Sequence, residues 1–318
     1  MGKRANILTW STLSHNKMRT QEELLSLLEQ QLAESEKMNP DLICFSEEVL
    51  LSGGDGKNPA WVQNNEIALS MMKEGAKRMH TNIIICLEEP SNKYLGRSYN
   101  TTYIIDRQGN IIDKYRKRHI TFRAIADRGL TGERLVVCDT DIGRIGIMTC
   151  FDIGWREDWL KLAEMGAELV VWNSAYDGGF LLNAYAAVGM YHVVSSVWGS
   201  ARSRIIDPFG QDMVVSSRWD GLSCATVDLG MEIFHIDHHL KKISELRRYF
   251  GDRIVIQVKS EDNMFSLSSL DPNWPIERIR KEFQLQTYRE YHEQSTRDNI
   301  NMLQKYPEDL EDWSIMDF

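Results

Sequence analysis

The sequence has no apolar run close to the roughly 20 residues that a membrane-spanning helix needs. We expect no signal peptide either, because Asn6, His15 and Asn16 interrupt the stretch that follows Lys3 and Arg4. Basic residues are in the minority, with 37 Lys and Arg against 46 Asp and Glu and a formal net charge of −9, so no basic face is available for phosphates. We therefore expect a cytoplasmic protein that binds neither membranes nor nucleic acid.

Cysteine is scarce, and its pattern excludes two common uses. The five cysteines are an odd number and form no C-x-x-C pair, which argues against a disulfide framework and a zinc ribbon. Cys44, Cys86 and Cys138 lie in apolar, strand-like runs, where a small buried hydrophobic side chain is the usual role. Cys150 differs, because it follows a predicted strand and enters a loop before a predicted helix.

The remaining pattern is an alternation of helices and strands. Thr20 and Glu23 form a capping box before leucines at helical spacing, which predicts a helix to about Met38. Many predicted strands are apolar on both faces, so we expect an α/β fold in which two packed sheets are covered by outer helices, a four-layer α-β-β-α sandwich. We assign residues 1–240 to this domain and residues 241–318, which are charged and partly helical, to a C-terminal extension that packs on the domain or at an oligomer interface.

Three predicted strands end in residues that carry chemistry, and the carboxyl ends of strands are where α/β proteins place their sites. The segments are LICFSEE with Glu47 and Glu48, DKYRKRHI with Lys114, Lys117 and His119, and GIMTCFD with Cys150. A thiol needs a base to become a nucleophile, and its attack on a carbonyl carbon creates an oxyanion that a cation stabilises. The three segments therefore supply a base, a cation and a nucleophile. The residues alone leave open which Glu and which Lys serve, and whether His119 pairs with the thiol as in cysteine proteases.

Five segments, in order along residues 5–230, resemble the nitrilase superfamily of amidases, carbamoylases and nitrilases. They are LICFSE, YRKRHI, GRIGIMTCFDIGWRE, AEMGAELVVWNSA and SRIIDPFG. The resemblance implies a sandwich of the nitrilase type, with Glu47 as general base, Lys117 as oxyanion stabiliser and Cys150 as nucleophile. It assigns His119 no role as the base, and it implies neither a cofactor nor a metal. It also implies a homodimer or a higher homo-oligomer, paired through helices near the cysteine-bearing segment.

One position departs from the family pattern. Many members carry a second Glu near a Pro-Gly turn between the Lys and Cys segments, where it helps to position the attacking water. This chain has AIADRGLTGERL there, with Thr131 in place of the proline. Asp127 is our candidate for the second carboxylate and Glu133 is the alternative. Either residue could instead be a charged side chain on a surface loop with no role in the site.

The surroundings of the three segments suggest which residues shape a pocket. The resemblance implies that the backbone N–H of Phe151 holds the oxyanion together with Lys117. Trp155 either lines the pocket or packs in the core, and we expect Asn173, Ser174 and Tyr176 to shape the pocket from the next strand. Farther on, Glu232 and two histidines resemble a metal patch, but a solvated helix face is the favoured interpretation.

The loop after the nucleophile bears on the substrate. Nitrile-hydrolysing members commonly have Trp-Glu after the cysteine, whereas this chain has Phe151-Asp152, the form found in amidases and carbamoylases. We therefore predict hydrolysis of a small amide or N-carbamoyl compound through a thioester, with release of ammonia or an amine. The alternatives are a nitrile hydrolase, an amine acyltransferase and a non-catalytic binding relative.

Overall fold

The computed structural model describes residues 4–12, 20–50, 59–127, 129–198, 201–217 and 219–307. Its contacts divide the chain into two compact units, one that spans Lys3–Leu229 and one that begins at Gly230. In the described part of the chain, no helix is long and apolar enough to cross a membrane.

The first unit contains thirteen strands and five α-helices within its described residues. The strands are β1 (Arg4–Trp10), β2 (Leu42–Cys44), β3 (Asn82–Pro90), β4 (Ser98–Ile105), β5 (Ile111–Arg116), β6 (Gly129–Leu130), β7 (Val137–Asp139), β8 (Arg144–Thr149), β9 (Leu169–Ser174), β10 (His192–Val197), β11 (Arg204–Ile206), β12 (Asp212–Val215) and β13 (Leu222–Asp228). The helices are α1 (Gln21–Glu36), α2 (Pro59–Met79), α3 (Phe122–Ala126), α4 (Arg156–Glu164) and α5 (Phe180–Gly189).

These strands form two sheets. The first has the order β13-β1-β2-β3-β4-β5, with β6 paired to β4, and the second has the order β12-β11-β10-β9-β8-β7. The central strands β1, β2 and β3 are parallel in the first sheet, as are β8, β9 and β10 in the second. Strand β1 also pairs antiparallel with β13, so the two ends of the unit's sequence meet in one sheet.

The packing confirms the predicted four layers. An apolar cluster between the sheets joins Ile84 and Ile104 of the first sheet to Ile147 and Val171 of the second. A second cluster packs α1 and α2 on the outer face of the first sheet, and a third packs α4 and α5 on the outer face of the second. Each sheet is therefore buried on both faces, which is why its central strands are continuous apolar runs rather than alternating ones.

The predicted start of the first helix is confirmed in detail. The Thr20 hydroxyl accepts a hydrogen bond from the N–H of Glu23, and the Glu23 carboxylate accepts one from the N–H of Thr20. Both bonds satisfy backbone donors that the first turn of a helix leaves without partners. Helix α1 then buries Leu24, Leu28 and Leu32 on one face against the sheet.

The second unit has its own core and its own sheet. Its elements are β14 (Glu232–His235), α6 (Leu240–Phe250), β15 (Ile254–Lys259), β16 (Met264–Ser269), α7 (Ile276–Phe283) and α8 (Tyr288–Lys305), and the strands form an antiparallel sheet in the order β14-β16-β15. Its fully buried side chains include Phe234, Leu246 and Phe265. This sheet was not anticipated from the charged sequence.

One expectation for the second unit was wrong. Glu232 and His235 lie on strand β14, not on a solvated helix face, and the His235 ring stacks on Tyr291 with ring centroids 4.1 Å apart. His239 is buried and precedes α6. Among the residues that the structure describes, no group of three His, Cys, Asp or Glu side chains is placed to hold a metal ion.

Candidate active site

The structure brings Glu47 and Lys117 into direct contact. Glu47 follows β2 and Lys117 follows β5, and the Lys117 ammonium lies 2.6 Å from a Glu47 carboxylate oxygen. Both side chains are buried. A buried carboxylate and a buried ammonium are each costly without a partner, so this pair is stable only while both members are present.

Cys150 lies beside this pair at the end of β8, a strand of the second sheet. Burial and then the Glu47 carboxylate raise the pKa of the Cys150 thiol to about 11, while Lys117 and hydrogen bonds from the Ala175 N–H and the Ser174 hydroxyl act in the opposite direction. The thiol is therefore protonated at neutral pH. A nucleophilic role requires a base to remove that proton.

The charge of Lys117 is secured by its neighbours. Burial alone would lower the pKa of the Lys117 ammonium, but Glu47, Cys150 and Asp152 outweigh burial and hold that pKa above its ordinary value. Lys117 is thus a permanent cation within the cluster. A permanent cation at this place can stabilise negative charge that forms on a carbonyl oxygen near the thiol.

The backbone at Cys150 has an uncommon conformation. Its φ of +47° lies in the left-handed region, which a side chain disfavours. The Trp172 indole holds this turn by donating to the Cys150 carbonyl oxygen at 3.1 Å. The turn is therefore maintained by a side chain from β9, the adjacent strand.

Glu47 is held on both its side chain and its backbone. The Asn100 amide of β4 donates to the same carboxylate oxygen that Lys117 contacts, at 2.9 Å. The Trp198 indole donates to the Glu47 carbonyl oxygen. These contacts leave the carboxylate with one defined orientation.

Asp152 ties the Lys117 segment to the Cys150 turn. One of its carboxylate oxygens accepts from the Tyr115 hydroxyl at 2.7 Å and from the Thr149 N–H at 3.0 Å, and the other accepts from the His119 N–H at 2.9 Å. Burial raises the pKa of the Asp152 carboxyl to about 6, against the lowering effect of these donors. The Asp of the Cys-x-Asp segment is therefore a cross-link between β5 and β8.

Asn173 links the two sheets below the same cluster. It lies beside Thr149 in the β8–β9 pairing, and its amide donates to the carbonyl oxygen of Phe45, which precedes Glu47 by two residues. The Thr102 hydroxyl of β4 donates to the Asn173 amide oxygen at 3.4 Å. Asn173 is completely buried. It contacts backbone from the opposite sheet.

Ser174 and Tyr176 lie close to the thiol. Burial, followed by Cys150 and Glu47, raises the pKa of the Tyr176 hydroxyl to about 12, and the Tyr176 ring meets Trp172 edge to face with centroids 5.4 Å apart. Tyr176 is 42% exposed, so part of its ring faces solvent. This half-exposed aromatic side chain is suited to contact a ligand at the thiol.

Phe151 and Trp155, which follow the nucleophile in sequence, form an aromatic pair. Their rings meet edge to face with centroids 5.2 Å apart, and Trp155 stacks on His119 at 3.8 Å. The His119 ring makes its polar contact with Asp158, at 2.8 Å. His119 thus supports Trp155 instead of contacting Cys150.

Asp127 is not brought to this cluster. It ends helix α3, its side chain is 70% exposed, and its ion-pair partner is Arg123 at 3.7 Å. Glu133 is also exposed. The carboxyl group of Glu48 lies nearer the pair: burial, then Glu47 and then Glu88 raise its pKa to about 8 against the lowering effect of Lys117. Burial also raises the pKa of Glu88, to about 7.

Several residues that shape the site were given no role at the sequence level, among them Asn100, Tyr115, Trp172 and Trp198. Each acts through a contact with a residue remote in sequence, so local patterns carry little sign of it. Asn100 is the partial exception, because a polar Asn that leads into an apolar strand near three reactive segments is a recognisable signal.

Comparison with known proteins identifies the family. A model of the carbon-nitrogen hydrolase family matches residues 8–233. The chain belongs to this family. The chain is 31% identical to the deaminated glutathione amidase of Dictyostelium discoideum over 140 residues, a match that covers 36% of this chain and 47% of that protein. It is 30% identical to the probable hydrolase nit2 of Schizosaccharomyces pombe over 209 residues, a match that covers 56% of this chain and 73% of that protein. The chain thus matches about half the length of the first of these relatives and about three quarters of the second.

Solved structures confirm the nitrilase-type sandwich. The NitFhit protein of C. elegans has a TM-score of 0.63 at 19% identity, with 78% of this chain and 64% of that chain covered. An amidase from Nesterenkonia sp. has a TM-score of 0.62 at 17% identity, with 77% and 95% covered. At these identities the likeness concerns the fold.

Proposed function

We propose that this protein hydrolyses the carbon–nitrogen bond of a small amide or N-carbamoyl compound through a thioester on Cys150. The observation that carries the proposal is the meeting of Glu47, Lys117 and Cys150 at the facing ends of two sheets. This set contains a base, a permanent cation and a thiol.

The reaction starts from the protonated thiol. Glu47 takes the thiol proton as the Cys150 sulfur bonds to the amide carbon, and Lys117 with the Phe151 N–H stabilises the oxyanion. As the carbon–nitrogen bond breaks, Glu47 gives its proton to the leaving nitrogen, which departs as ammonia or an amine. Water, deprotonated by Glu47, then attacks the thioester and releases the acid and the thiol.

Relatives support an amide as the substrate. Besides the deaminated glutathione amidases, an omega-amidase of Arabidopsis thaliana is 27% identical over 187 residues. The Nesterenkonia amidase has been solved with butyramide and with the acetamide moiety of fluoroacetamide attached to its active-site cysteine. A cytoplasmic location and assembly as a homodimer or higher homo-oligomer stay predictions.

The test is a screen of ammonia release over amides, N-carbamoyl compounds and nitriles, with intact-mass detection of an acyl group on Cys150. We expect turnover of an amide or carbamoyl compound, and Cys150→Ala should abolish both turnover and adduct while the protein stays folded. Cys224→Ala, which removes another partly exposed thiol, is the matched control and should leave both unchanged.

The screen also separates the alternatives. An acyl adduct that is released faster when an amine is added, with an amide as product, would identify an acyltransferase. Turnover of nitriles alone would show that the substrate is a nitrile and not an amide or N-carbamoyl compound. Neither adduct nor turnover across the three classes would overturn the proposal in favour of a binding protein.

A further inference from the structure

A second cysteine lies directly behind the candidate base. Cys86 is in β3 and is completely buried, and its Sγ donates to the amide oxygen of Asn100 at 3.0 Å. The amide nitrogen of Asn100 donates to the Glu47 carboxylate at 2.9 Å. A continuous hydrogen-bonded chain therefore runs from Cys86 through Asn100 to Glu47 and ends at Lys117.

The strand pairing explains why these side chains meet. Cys86 is opposite Thr102 and Glu88 is opposite Asn100 in the antiparallel pairing of β3 and β4. Cys86 and Asn100 are thus diagonal neighbours on one face of the sheet, and the Asn100 side chain is long enough to reach Cys86.

An asparagine amide has two ends of similar shape and opposite hydrogen-bonding character. If the Asn100 amide turned over, its oxygen would face a carboxylate oxygen of Glu47, and two acceptors would repel each other. A donor at the far end of the amide selects the correct orientation. The Cys86 S–H is that donor.

The thiol keeps this proton over the working pH range. Burial, followed by the negative charges of Glu47 and Glu48, raises the pKa of Cys86 far above its ordinary value. The Thr102 hydroxyl and the Glu48 backbone act in the opposite direction without reversing the shift. Cys86 is therefore a fixed donor and an unreactive thiol.

We propose that Cys86 is a positioning residue for the reaction, whose S–H group orients the amide of Asn100 so that its nitrogen holds the Glu47 carboxylate in place for proton transfer. The inference rests on the proposed role of Glu47 as the base. The alternative is that Cys86 only fills space between the sheets, as Cys44 does on the neighbouring strand β2, where it is completely buried in the core cluster between the sheets.

The experiment compares Cys86→Ala, Cys86→Ser and the matched control Cys44→Ala. The first removes the donor, the second restores it with a hydroxyl, and the third removes the same atom at equal depth but away from Asn100. The readout is the rate at which iodoacetamide alkylates Cys150 between pH 6 and 11, resolved by peptide mass. This probe needs no turnover, so a protein that hydrolyses no amide would refute the proposed function and still test Cys86.

We expect Cys86→Ala to slow alkylation near pH 7 roughly tenfold. Without its orienting donor, the Asn100 amide would no longer hold the Glu47 carboxylate, and one hydrogen bond to a charged group represents about that factor. The deficit should vanish near pH 11, where the Cys150 thiolate forms without a base. Cys86→Ser and Cys44→Ala should follow the wild type within about twofold. Equal profiles for Cys86→Ala and Cys86→Ser, or a deficit that persists at all pH values, would overturn the proposal.

Infrared spectra give a second measurement if Cys86→Ala does not fold. The S–H band that disappears in Cys86→Ser should lie at lower frequency than the band that disappears in Cys44→Ala, because a donated hydrogen bond weakens the S–H bond. Bands at the same frequency would show that Cys86 makes no such bond and would refute its positioning role.

Discussion

The Trp172 indole donates a hydrogen bond to the carbonyl oxygen of Cys150, the residue that carries the candidate nucleophile. Cys150 has a left-handed backbone conformation, which costs a non-glycine residue about 1 kcal/mol or more. The hydrogen bond offsets part of this cost and selects this turn among others. The direction of the thiol thus depends on a side chain of the adjacent strand.

Replacing Trp172 by Phe tests this dependence. The change removes the N–H donor but keeps an aromatic ring, so we expect a stability loss of about 1–2 kcal/mol in urea denaturation and alkylation of Cys150 slowed severalfold. Trp10→Phe is the matched control, because the Trp10 indole donates to Ser35 at 2.9 Å in a buried place away from the site. Trp10→Phe should lose a similar amount of stability, while the rate of Cys150 alkylation stays unchanged. Equal slowing in both variants would contradict the role of Trp172.

Asn173 joins the sheets at the site, whereas Thr9 joins the same sheets by donating to the Ser195 carbonyl oxygen at 2.7 Å. Asn173→Leu and Thr9→Val each remove one buried donor with little change of shape, so both should cost about 1–3 kcal/mol. Only Asn173→Leu should also lower kcat, because Phe45 leads to Glu47. If kcat falls equally in the two variants, Asn173 has no particular role in aligning the site.

Glu48 makes stability depend on pH. Its pKa of about 8 in the folded protein stands above the ordinary 4.5, so the folded state binds this proton more tightly than the unfolded chain. The stability it contributes is complete below about pH 4.5 and is lost as the pH rises through about 8. Glu48→Gln should therefore raise the unfolding temperature at pH 9 by about 2–4 °C relative to its effect at pH 5. Glu29→Gln, at an exposed position, should give no such difference.

The contact between Glu47 and Lys117 can be measured by a double-mutant cycle. Lys117→Met leaves a buried carboxylate without its cation, which should cost about 3–5 kcal/mol in urea denaturation at pH 7. Adding Glu47→Gln removes the stranded charge, so the double variant should be more stable than Lys117→Met alone. Additive losses would show that the two charges do not stabilise each other in the fold.

Much of the fold was predictable because its signals are local. The capping box at Thr20 and the apolar runs of β3 and β9 depend on neighbouring residues, and the structure contains each element. The sheet of the second unit lacked such a signal, because strand β15 (IVIQVK) carries exposed apolar and polar side chains together. Its pairing with β16 becomes visible only in three dimensions.

The candidate site divides in the same way. Glu47, Lys117 and Cys150 were recognisable as reactive residues at strand ends within known motifs. Their supports were not, because the contact from Asn100 to Glu47 or from Tyr115 to Asp152 depends on how strands pair and sheets stack. The proposed second carboxylate, Asp127, was chosen by its position in a predicted loop, but it ends helix α3, where it is exposed beside Arg123.

The pairing of β1 with β13 has a consequence for synthesis on the ribosome. Strand β1 is translated before both of its partners and can pair with β2 soon afterwards, but its other edge lacks β13 until Asp228 has been translated. An open strand edge exposes backbone N–H and C=O groups that can pair with other nascent chains. Translation products that stop before Leu222 should therefore aggregate, although they already contain every reactive residue of the site.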